Sequence, residues 1–247
     1  YYNMPSQLGM LDYFKFLAAG IDLPLIMYDV PSRGHPIIQP ETRIAAALMN
    51  KNIIGIKDAT GGGEEESIWH ETAELARRKK LDKHKFKLIS GDDSATFRLM
   101  SGYGGVGVIS VTSNIFPGAV SRLTELLLAG EFEEAGKINN ALAPFNKVLG
   151  VKADYNIYKD LRVEGDSFKN PAPVQYAAYT LGMIKSDRLI LPLVPLSDKR
   201  VPPEARLQVL NALETMYHSD QKELLFKPIE EFYGVDVGAR LKLMHER

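Results

Sequence analysis

Lysine, tyrosine and arginine side chains follow short apolar segments of this chain, and these residue types can do carbonyl chemistry. Lys57 comes directly after the apolar run IIGI. Partial withdrawal from water would lower the pKa of its amine and supply the neutral nucleophile that attacks a ketone. The ordinary alternative is a lysine that extends from a strand end into water, paired with Asp58, and the pattern alone favours that interpretation.

Other polar residues carry similar pairs of interpretations. Tyr28 is either a proton relay or a core tyrosine with a satisfied hydroxyl. Arg33, in a Pro-Ser-Arg-Gly turn, either binds a carboxylate through its two-donor fork or is solvated. Asp92 and Asp93 suit a divalent cation less well than a turn or helix cap, because two adjacent acids provide few ligands. The five histidines are scattered without metal-ligand spacing, so no metal site is predicted.

Apolar segments and amphipathic segments alternate through the first 130 residues, which indicates consecutive parallel βαβ units. Strands are predicted at Leu23–Val30, Asn52–Ala59, Lys85–Asp93 and Gly105–Ser113. Helices are predicted at Ser6–Ala19, from Pro40, at Glu64–Lys80, Ser94–Gly102 and Pro117–Ala129. Such a pattern is typical of a doubly wound sheet or part of a (β/α)8 barrel, and functional groups there lie at the carboxyl ends of strands. Four clusters occupy those ends: Tyr28-Asp29, Lys57-Asp58, Ser90 to Asp93 and Ser110 to Asn114.

After about residue 130 the pattern becomes helical. Helices are predicted at Glu131–Leu149, Pro171–Ile184 and Pro203–Tyr217, separated by a polar, irregular insert at 150–170. A charged, helix-prone tail begins at Ser219. The predicted organisation is therefore half of a barrel at 1–130, a helical region at 131–217 and a tail at 218–247.

Composition excludes several classes of protein. The 247 residues carry 30 Lys and Arg against 31 Asp and Glu, and 45% are hydrophobic. A disordered chain would have fewer apolar residues and more net charge, and a nucleic-acid binder usually has a basic excess. No apolar run is long enough for a transmembrane helix. The absence of cysteine excludes thiolate metal sites and disulfides, and it is compatible with the cytoplasm, which is the predicted location.

Six separated motifs together resemble the dihydrodipicolinate synthase and N-acetylneuraminate lyase family of pyruvate-dependent aldolases, and its dihydrodipicolinate synthase branch most closely. In chain order they are YYN-P-Q at 1–7, YDVPSRG at 28–34, GIKDATG at 55–61, SGDD at 90–93, GVISVTSN at 107–114 and NPAPVQYA at 170–177. The resemblance implies a (β/α)8 barrel, of which strands five to eight are visible here, followed by a C-terminal helical region.

The resemblance also implies catalytic roles. Lys57 matches the lysine that forms a Schiff base with pyruvate, and Tyr28 matches the tyrosine that relays protons at the imine. Tyr2 matches a tyrosine that reaches into the site of a neighbouring subunit. The implied enzyme is a lyase that condenses pyruvate with aspartate semialdehyde to 4-hydroxy-tetrahydrodipicolinate, in lysine and diaminopimelate biosynthesis. It requires no cofactor or metal and forms a homo-oligomer, either a dimer or a tetramer, without nucleic-acid or membrane partners.

Binding positions follow from the same resemblance. Arg33 matches the arginine that receives the carboxylate of the second substrate, and Gly91 and Ile109 match positions that line the pyruvate pocket. Tyr1 matches a position at the lysine-feedback site of enzymes that possess one.

The chain also departs from the family pattern. Asp29 replaces a common Asn and Asp58 a common Glu, and the early Gly-Thr-Thr-Gly-Glu stretch is absent because Tyr1 falls where the fourth strand would end. We therefore expect the 247 residues alone to show negligible activity and to self-associate through unpaired strand edges. Two alternatives stay open: another pyruvate aldolase that cleaves N-acetylneuraminate or a keto-deoxy sugar acid, and an inactive fragment or interaction module.

Overall fold

The computed structural model describes residues 4–34, 36–62, 66–81, 85–158, 160–169, 171–185 and 195–246. The helices are α1 (Gln7–Gly20), α2 (Pro40–Met49), α3 (Ser67–Arg78), α4 (Thr96–Tyr103), α5 (Pro117–Ala129), α6 (Phe132–Lys147), α7 (Ala172–Thr180), α8 (Pro203–Tyr217), α9 (Lys222–Tyr233) and α10 (Val237–His245). The strands are β1 (Leu25–Asp29), β2 (Ile53–Asp58), β3 (Lys87–Ser90), β4 (Gly107–Val108), β5 (Gly150–Tyr158) and β6 (Leu161–Lys169). The chain divides into two compact units, one of residues 1–110 and 126–132 and the other of 111–125 and 133–247.

A parallel four-stranded sheet in the order β1-β2-β3-β4 forms the centre of the first unit. Each strand pairs with the next one along the chain, as the alternating sequence pattern predicts. Tyr28 lies opposite Lys57 and Asp29 lies opposite Asp58, so the strand ends are in register. The structure therefore confirms the α/β class with following helices, while the described residues form an open sheet that ends at β1 and β4.

The strands are shorter than the sequence predicts. Only two residues of the predicted fourth strand, Gly107 and Val108, pair with β3. The segment beyond them turns into a short 3-10 helix at Thr112–Asn114. The sequence predicts a longer strand because the run is rich in β-branched residues, and hydrophobicity alone does not mark where pairing stops.

The two faces of the sheet differ in burial. On the helix-facing side, Met27, Ile56 and Leu88 are buried in one apolar core with side chains from the surrounding helices. On the opposite face, Tyr28 is 47% exposed and Ile26 is 43% exposed. Because successive residues of a strand point to opposite faces, Tyr28 and Asp29 lie on different sides of the sheet.

Local signals fix where the helices of this unit begin. The Ser6 side chain accepts a hydrogen bond from the amide of Gly9 at 3.2 Å and so caps α1. Pro40 occupies the first position of α2, where its missing amide hydrogen leaves no bond unmade. Both helix starts were predicted from the sequence.

In the second unit, the prediction of an irregular insert at 150–170 is wrong. Residues Gly150–Tyr158 and Leu161–Lys169 pair as an antiparallel hairpin. Val151 and Ala153 are buried while Lys152 and Asp154 are exposed, so the segment has the period-2 alternation of a half-buried strand. Its high polar content hides that alternation, because every residue of β6 is exposed or only half-buried.

Helices also occupy the C-terminal part of the second unit. The charged tail forms α9 and α10, which confirms the helical prediction for that segment. Phe116 packs edge-on against Phe145 and Phe226, with ring centroids 5.5 and 5.4 Å apart. Across the described ranges, we find no helix with the length and apolar content needed to cross a membrane.

Candidate functional site at the carboxyl-terminal edge of the sheet

Backbone hydrogen bonds extend the parallel ladder one step beyond the strands, at the edge where β1, β2 and β3 end. The donors and acceptors are Ala59 N to Asp29 O at 2.8 Å, Gly91 N to Asp58 O at 2.6 Å and Ile109 N to Ser90 O at 2.9 Å. These bonds hold the first residue after each strand against the end of its neighbour. The predicted residues Lys57, Tyr28, Gly91 and Ile109 therefore lie along one edge.

Lys57 and Tyr28 are in direct contact. The ammonium nitrogen of Lys57 lies 4.3 Å from the centroid of the Tyr28 ring, over its face. Such a contact attracts the cation by roughly 0.5–1 kcal/mol at an exposed site. Lys57 is half-buried, and its aliphatic stem passes the partly open face of the sheet. The pair thus places an amine and a phenol side by side at the ends of adjacent strands.

An apolar groove of about 550 Å³ adjoins this pair. Tyr28 forms part of its lining, together with residues of α1 and of β1. The remaining lining includes Met10, Tyr13, Phe14, Leu17, Leu25 and Ile26. The groove is predominantly hydrophobic and borders the Tyr28 side of the pair.

Gly91 lies so close to Lys57 that even a methyl side chain at this position would be crowded. A Cβ atom at this position would lie 3.1 Å from the Lys57 Cε atom and 3.0 Å from the Asp58 carbonyl oxygen. Ile109 is 46% exposed on the same edge. Gly91 therefore lies next to Lys57, whereas Ile109 lies two strands away at the end of β4.

Arg33 lies in the 3-10 turn Pro31–Arg33 directly after β1, and its side chain is exposed. Gly34 ends that turn with φ of 100°, a left-handed conformation that favours glycine. The turn therefore lies at the same end of the sheet as Lys57. Tyr1 and Tyr2, the predicted feedback and relay residues, lie outside the described residues.

Behind the site, on the helix-facing side of the sheet, lies a buried ion cluster of Arg43, Asp29 and Asp58. Arg43 Nη2 lies 2.6 Å from Asp29 Oδ2, and Arg43 Nη1 lies 2.8 Å from Asp58 Oδ2. All three side chains are essentially inaccessible to solvent. Burial raises the pKa of Asp29 above its usual range, although the Arg43 charge and hydrogen bond act in the opposite direction.

Asp58 has further partners that tie it to α3 and to the loop after β2. Its Oδ1 atom accepts hydrogen bonds from the Thr60 amide at 3.0 Å, the Thr60 hydroxyl at 2.7 Å and the indole of Trp69 at 3.0 Å. The suggested pairing of Asp58 with Lys57 is therefore replaced by contacts on the opposite side of the sheet.

The acidic pair after β3 has a structural role in the described residues. Asp92 Oδ1 accepts hydrogen bonds from the amide and hydroxyl of Ser94, as a capping residue does. The buried Asp93 accepts a hydrogen bond from the hydroxyl of Ser110. No group of three or more potential metal ligands occurs within the described ranges.

Arg43 is a residue of the site region that the sequence interpretation missed. It sits in the segment PETRIAAALM, where it reads as one polar residue of an amphipathic helix. A signal was present, because aspartates at 29 and 58 put two carboxylates at adjacent strand ends where the family pattern has one. An unpaired buried charge is costly, so a nearby arginine was to be expected.

The fold and site define a protein of consecutive βα units with a lysine and a tyrosine at the carboxyl ends of adjacent strands. Residues 1–210 match the model of the dihydrodipicolinate synthetase family. The chain belongs to this family.

Relatives of this chain include a 4-hydroxy-tetrahydrodipicolinate synthase from Psychromonas ingrahamii, which is 38% identical over 212 residues. That match covers 86% of this chain and 63% of the relative. The solved 4-hydroxy-tetrahydrodipicolinate synthase of Methylacidiphilum fumariolicum is 32% identical with a TM-score of 0.70, over 94% of this chain and 65% of that one. The solved dihydrodipicolinate synthase of Thermotoga maritima is 30% identical with a TM-score of 0.69, over 87% and 63%. The chain thus spans less than two thirds of the length of these relatives.

Proposed function

We propose that this chain contains strands five to eight of a (β/α)8 barrel that condenses pyruvate with aspartate semialdehyde through an imine on Lys57. The observation that carries the proposal is the Lys57 amine over the Tyr28 ring at the carboxyl-terminal edge of the parallel sheet. The relatives named as 4-hydroxy-tetrahydrodipicolinate synthases support the choice of reaction. A cytoplasmic homo-oligomer is part of the same proposal and rests on the sequence resemblance.

The proposed chemistry begins with attack of the neutral Lys57 amine on the ketone carbon of pyruvate. Loss of water gives a protonated imine, which draws electrons from the adjacent methyl group. That methyl group loses a proton to form an enamine, and the enamine carbon bonds to the aldehyde carbon of aspartate semialdehyde. The amino group of the second substrate then displaces Lys57 and closes the ring of 4-hydroxy-tetrahydrodipicolinate.

Each remaining residue has a role in this sequence of steps. Tyr28, in contact with Lys57, and Tyr2 of a neighbouring subunit transfer protons at the imine and at the new hydroxyl group. Arg33 binds the carboxylate of aspartate semialdehyde through its planar fork. Gly91 and Ile109 leave room for pyruvate beside the lysine. Because the imine itself is the electron sink, no cofactor or metal is proposed.

Covalent trapping tests the proposal on the folded chain supplied with the amino-terminal half of the proposed barrel, because the 247 residues alone are expected to show negligible activity. Incubation with pyruvate and borohydride reduces the imine and fixes a three-carbon adduct, which peptide mapping by mass spectrometry locates. We expect the adduct on Lys57, and we expect Lys57→Arg to abolish it. Lys51→Arg is the matched control, since Lys51 is an exposed lysine just before the same strand. An adduct on another residue, or none on the folded protein, would exclude the proposed mechanism.

Product analysis tests the second substrate. With aspartate semialdehyde present, consumption of the trapped intermediate and formation of a cyclic dicarboxylate support the synthase. Release of pyruvate from N-acetylneuraminate or from a keto-deoxy sugar acid, with no reaction of aspartate semialdehyde, would instead assign the chain to another aldolase of the family.

A further inference from the structure

The ion cluster of Arg43, Asp29 and Asp58 joins the two strands that carry Lys57 and Tyr28. Asp29 directly follows Tyr28 and Asp58 directly follows Lys57, and the two aspartates are paired across the strands. Arg43 reaches one carboxylate with each terminal nitrogen, at 2.6 and 2.8 Å. One side chain from α2 therefore bridges both strand ends at their last residues.

Strand geometry makes this bridge relevant to the opposite face. Neighbouring residues on a strand share a peptide unit and point to opposite faces, so fixing Asp29 and Asp58 also fixes the direction of Tyr28 and Lys57. The Lys57 amine and the Tyr28 ring are in contact at 4.3 Å on the open face, directly over the bridge. A shift or rotation of one strand end against the other would separate that pair.

The guanidinium of Arg43 is itself held in one orientation. Its Nε atom donates to the Ile38 carbonyl at 2.7 Å, and Nη1 also donates to the Thr72 hydroxyl at 3.3 Å. The Thr72 hydroxyl donates in turn to the Ile68 carbonyl at 2.6 Å. Each nitrogen of the guanidinium thus has its own acceptor or acceptors, an arrangement that a lysine ammonium cannot reproduce.

Stability alone is a poor explanation for such a cluster. Two carboxylates and one guanidinium leave an excess negative charge in a site closed to solvent, and the desolvation cost of buried ion pairs often cancels their attraction. Apolar side chains of similar volume would fill the same space at no electrostatic cost. The ion pairs, unlike apolar contacts, fix the orientation of both strand ends.

We propose that Arg43 is a positioning residue that aligns the Lys57 amine with Tyr28 for imine formation. The link to imine chemistry rests on the proposed function, whereas the effect on the position of Lys57 does not. The two parts can therefore be tested by separate measurements on the same proteins.

The test compares wild type with Arg43→Lys and Thr72→Val. Arg43→Lys keeps the charge and removes the fork, while Thr72→Val keeps all three charges and removes one acceptor, so it remains informative if the first variant folds poorly. Arg77→Lys is the matched control, because Arg77 pairs with Glu74 on an exposed helix surface. Emission of Trp69, the chain's single tryptophan, reports directly on the cluster through its bond to Asp58.

Two rates are measured on folded protein supplied with the amino-terminal half of the proposed barrel, as in the trapping experiment above. The first is acetylation of Lys57 by acetic anhydride relative to that of Lys51, quantified by peptide mapping. The second is trapping of the pyruvate imine by borohydride. We expect Arg43→Lys to change the Lys57-to-Lys51 ratio at least threefold, to shift Trp69 emission and to slow trapping between about ten- and a hundredfold, as misplacement of a reacting group does. Thr72→Val should have smaller effects of the same sign, and Arg77→Lys should change none of the three.

Each outcome decides the question. Unchanged acetylation ratio and trapping rate in folded Arg43→Lys, with shifted Trp69 emission, would overturn the proposal and leave Arg43 a purely structural residue. An equal change at Lys51 and Lys57 would also overturn it, because general loosening affects both lysines. If wild type forms no pyruvate adduct at all, the proposed function fails, and the acetylation ratio alone then decides whether Arg43 positions Lys57.

Discussion

Addition of one methyl group at Gly91 is the most direct perturbation of the space beside Lys57. In Gly91→Ala the new Cβ atom would lie 3.0 Å from the Asp58 carbonyl oxygen, 3.1 Å from Lys57 Cε and 3.1 Å from Ala59 Cβ. Ordinary contacts of this kind begin at 3.4 Å, so each neighbour must move by a few tenths of an ångström. The Lys57 side chain can move, whereas the Asp58 oxygen is fixed by its 2.6 Å bond from the Gly91 amide.

The expected loss of stability follows from which of these neighbours can move. Overpacking of a filled site costs roughly 1–3 kcal/mol, and the flexible lysine places Gly91→Ala at the lower end, about 1–2 kcal/mol of unfolding free energy. Moving Lys57 away from the Tyr28 ring also forfeits a contact of roughly 0.5–1 kcal/mol. We therefore expect a modest loss of stability and a much larger loss of imine formation, at least tenfold, since the reacting amine is the group that yields.

Alanine substitutions at three glycines give a graded test of this expectation. At Gly55 the added atom would lie 2.3 Å from the Lys87 carbonyl oxygen, which is backbone, so Gly55→Ala should be strongly destabilised. At Gly107 no described atom lies within 4 Å, so Gly107→Ala should match wild type in both properties. Urea unfolding followed by Trp69 fluorescence gives stability, and borohydride trapping gives reactivity. If Gly91→Ala forms the pyruvate imine at the wild-type rate, Gly91 does not border the reacting amine as described.

Three further outcomes are expected. Arg33→Lys should leave pyruvate trapping intact and sharply slow the reaction with aspartate semialdehyde, because the planar fork is lost; equal loss of both steps in rapid-quench assays would refute that role. Since burial raises the pKa of Asp29 above 3.8 against the opposing effect of Arg43, the folded protein holds this proton to higher pH than the unfolded chain does. Wild type should then lose stability relative to Asp29→Asn as the pH rises from 3.8 through the raised pKa; a difference that is constant in urea titrations across that range would contradict the argument. Phe145→Ala should cost roughly 3–5 kcal/mol because its ring is fully buried, and Phe232→Ala, at an 82% exposed position, should cost little in the same unfolding measurement.

Local chemistry made most of the sheet and its helices predictable. Ser6 and Pro40 mark helix starts by hydrogen-bonding rules that act within one turn, and the structure places α1 and α2 accordingly. The position of Lys57 at a strand end follows from its place after an apolar run, and parallel pairing brings it to Tyr28. These features depend on neighbours in sequence or on a topology with few alternatives.

The features that were missed depend on partners far apart in the chain. The Arg43 bridge unites residues of β1, α2 and β2, and no local pattern shows that a helix arginine points at two strand ends. The sequence predicts an irregular insert in place of the β5–β6 hairpin because the outward residues of the hairpin are almost all polar. Only the buried Val151 and Ala153 mark its inner face, too short a signal to outweigh the composition.

The consecutive order of the four parallel strands has a consequence for folding kinetics. Each strand pairs with the next one in sequence, so the paired residues are 28 positions apart for Leu25 and Ile53, 32 for Gly55 and Lys87, and only 18 for Ile89 and Gly107. Loop-closure entropy rises only slowly with length, and pairings this local form faster than those between distant strands. The contact between Tyr28 and Lys57, together with the bridge beneath it, needs only β1, α2 and β2. We therefore expect the amides of all four strands to acquire protection from hydrogen exchange early, with the β3–β4 pairing, which closes the shortest loop, no later than the others.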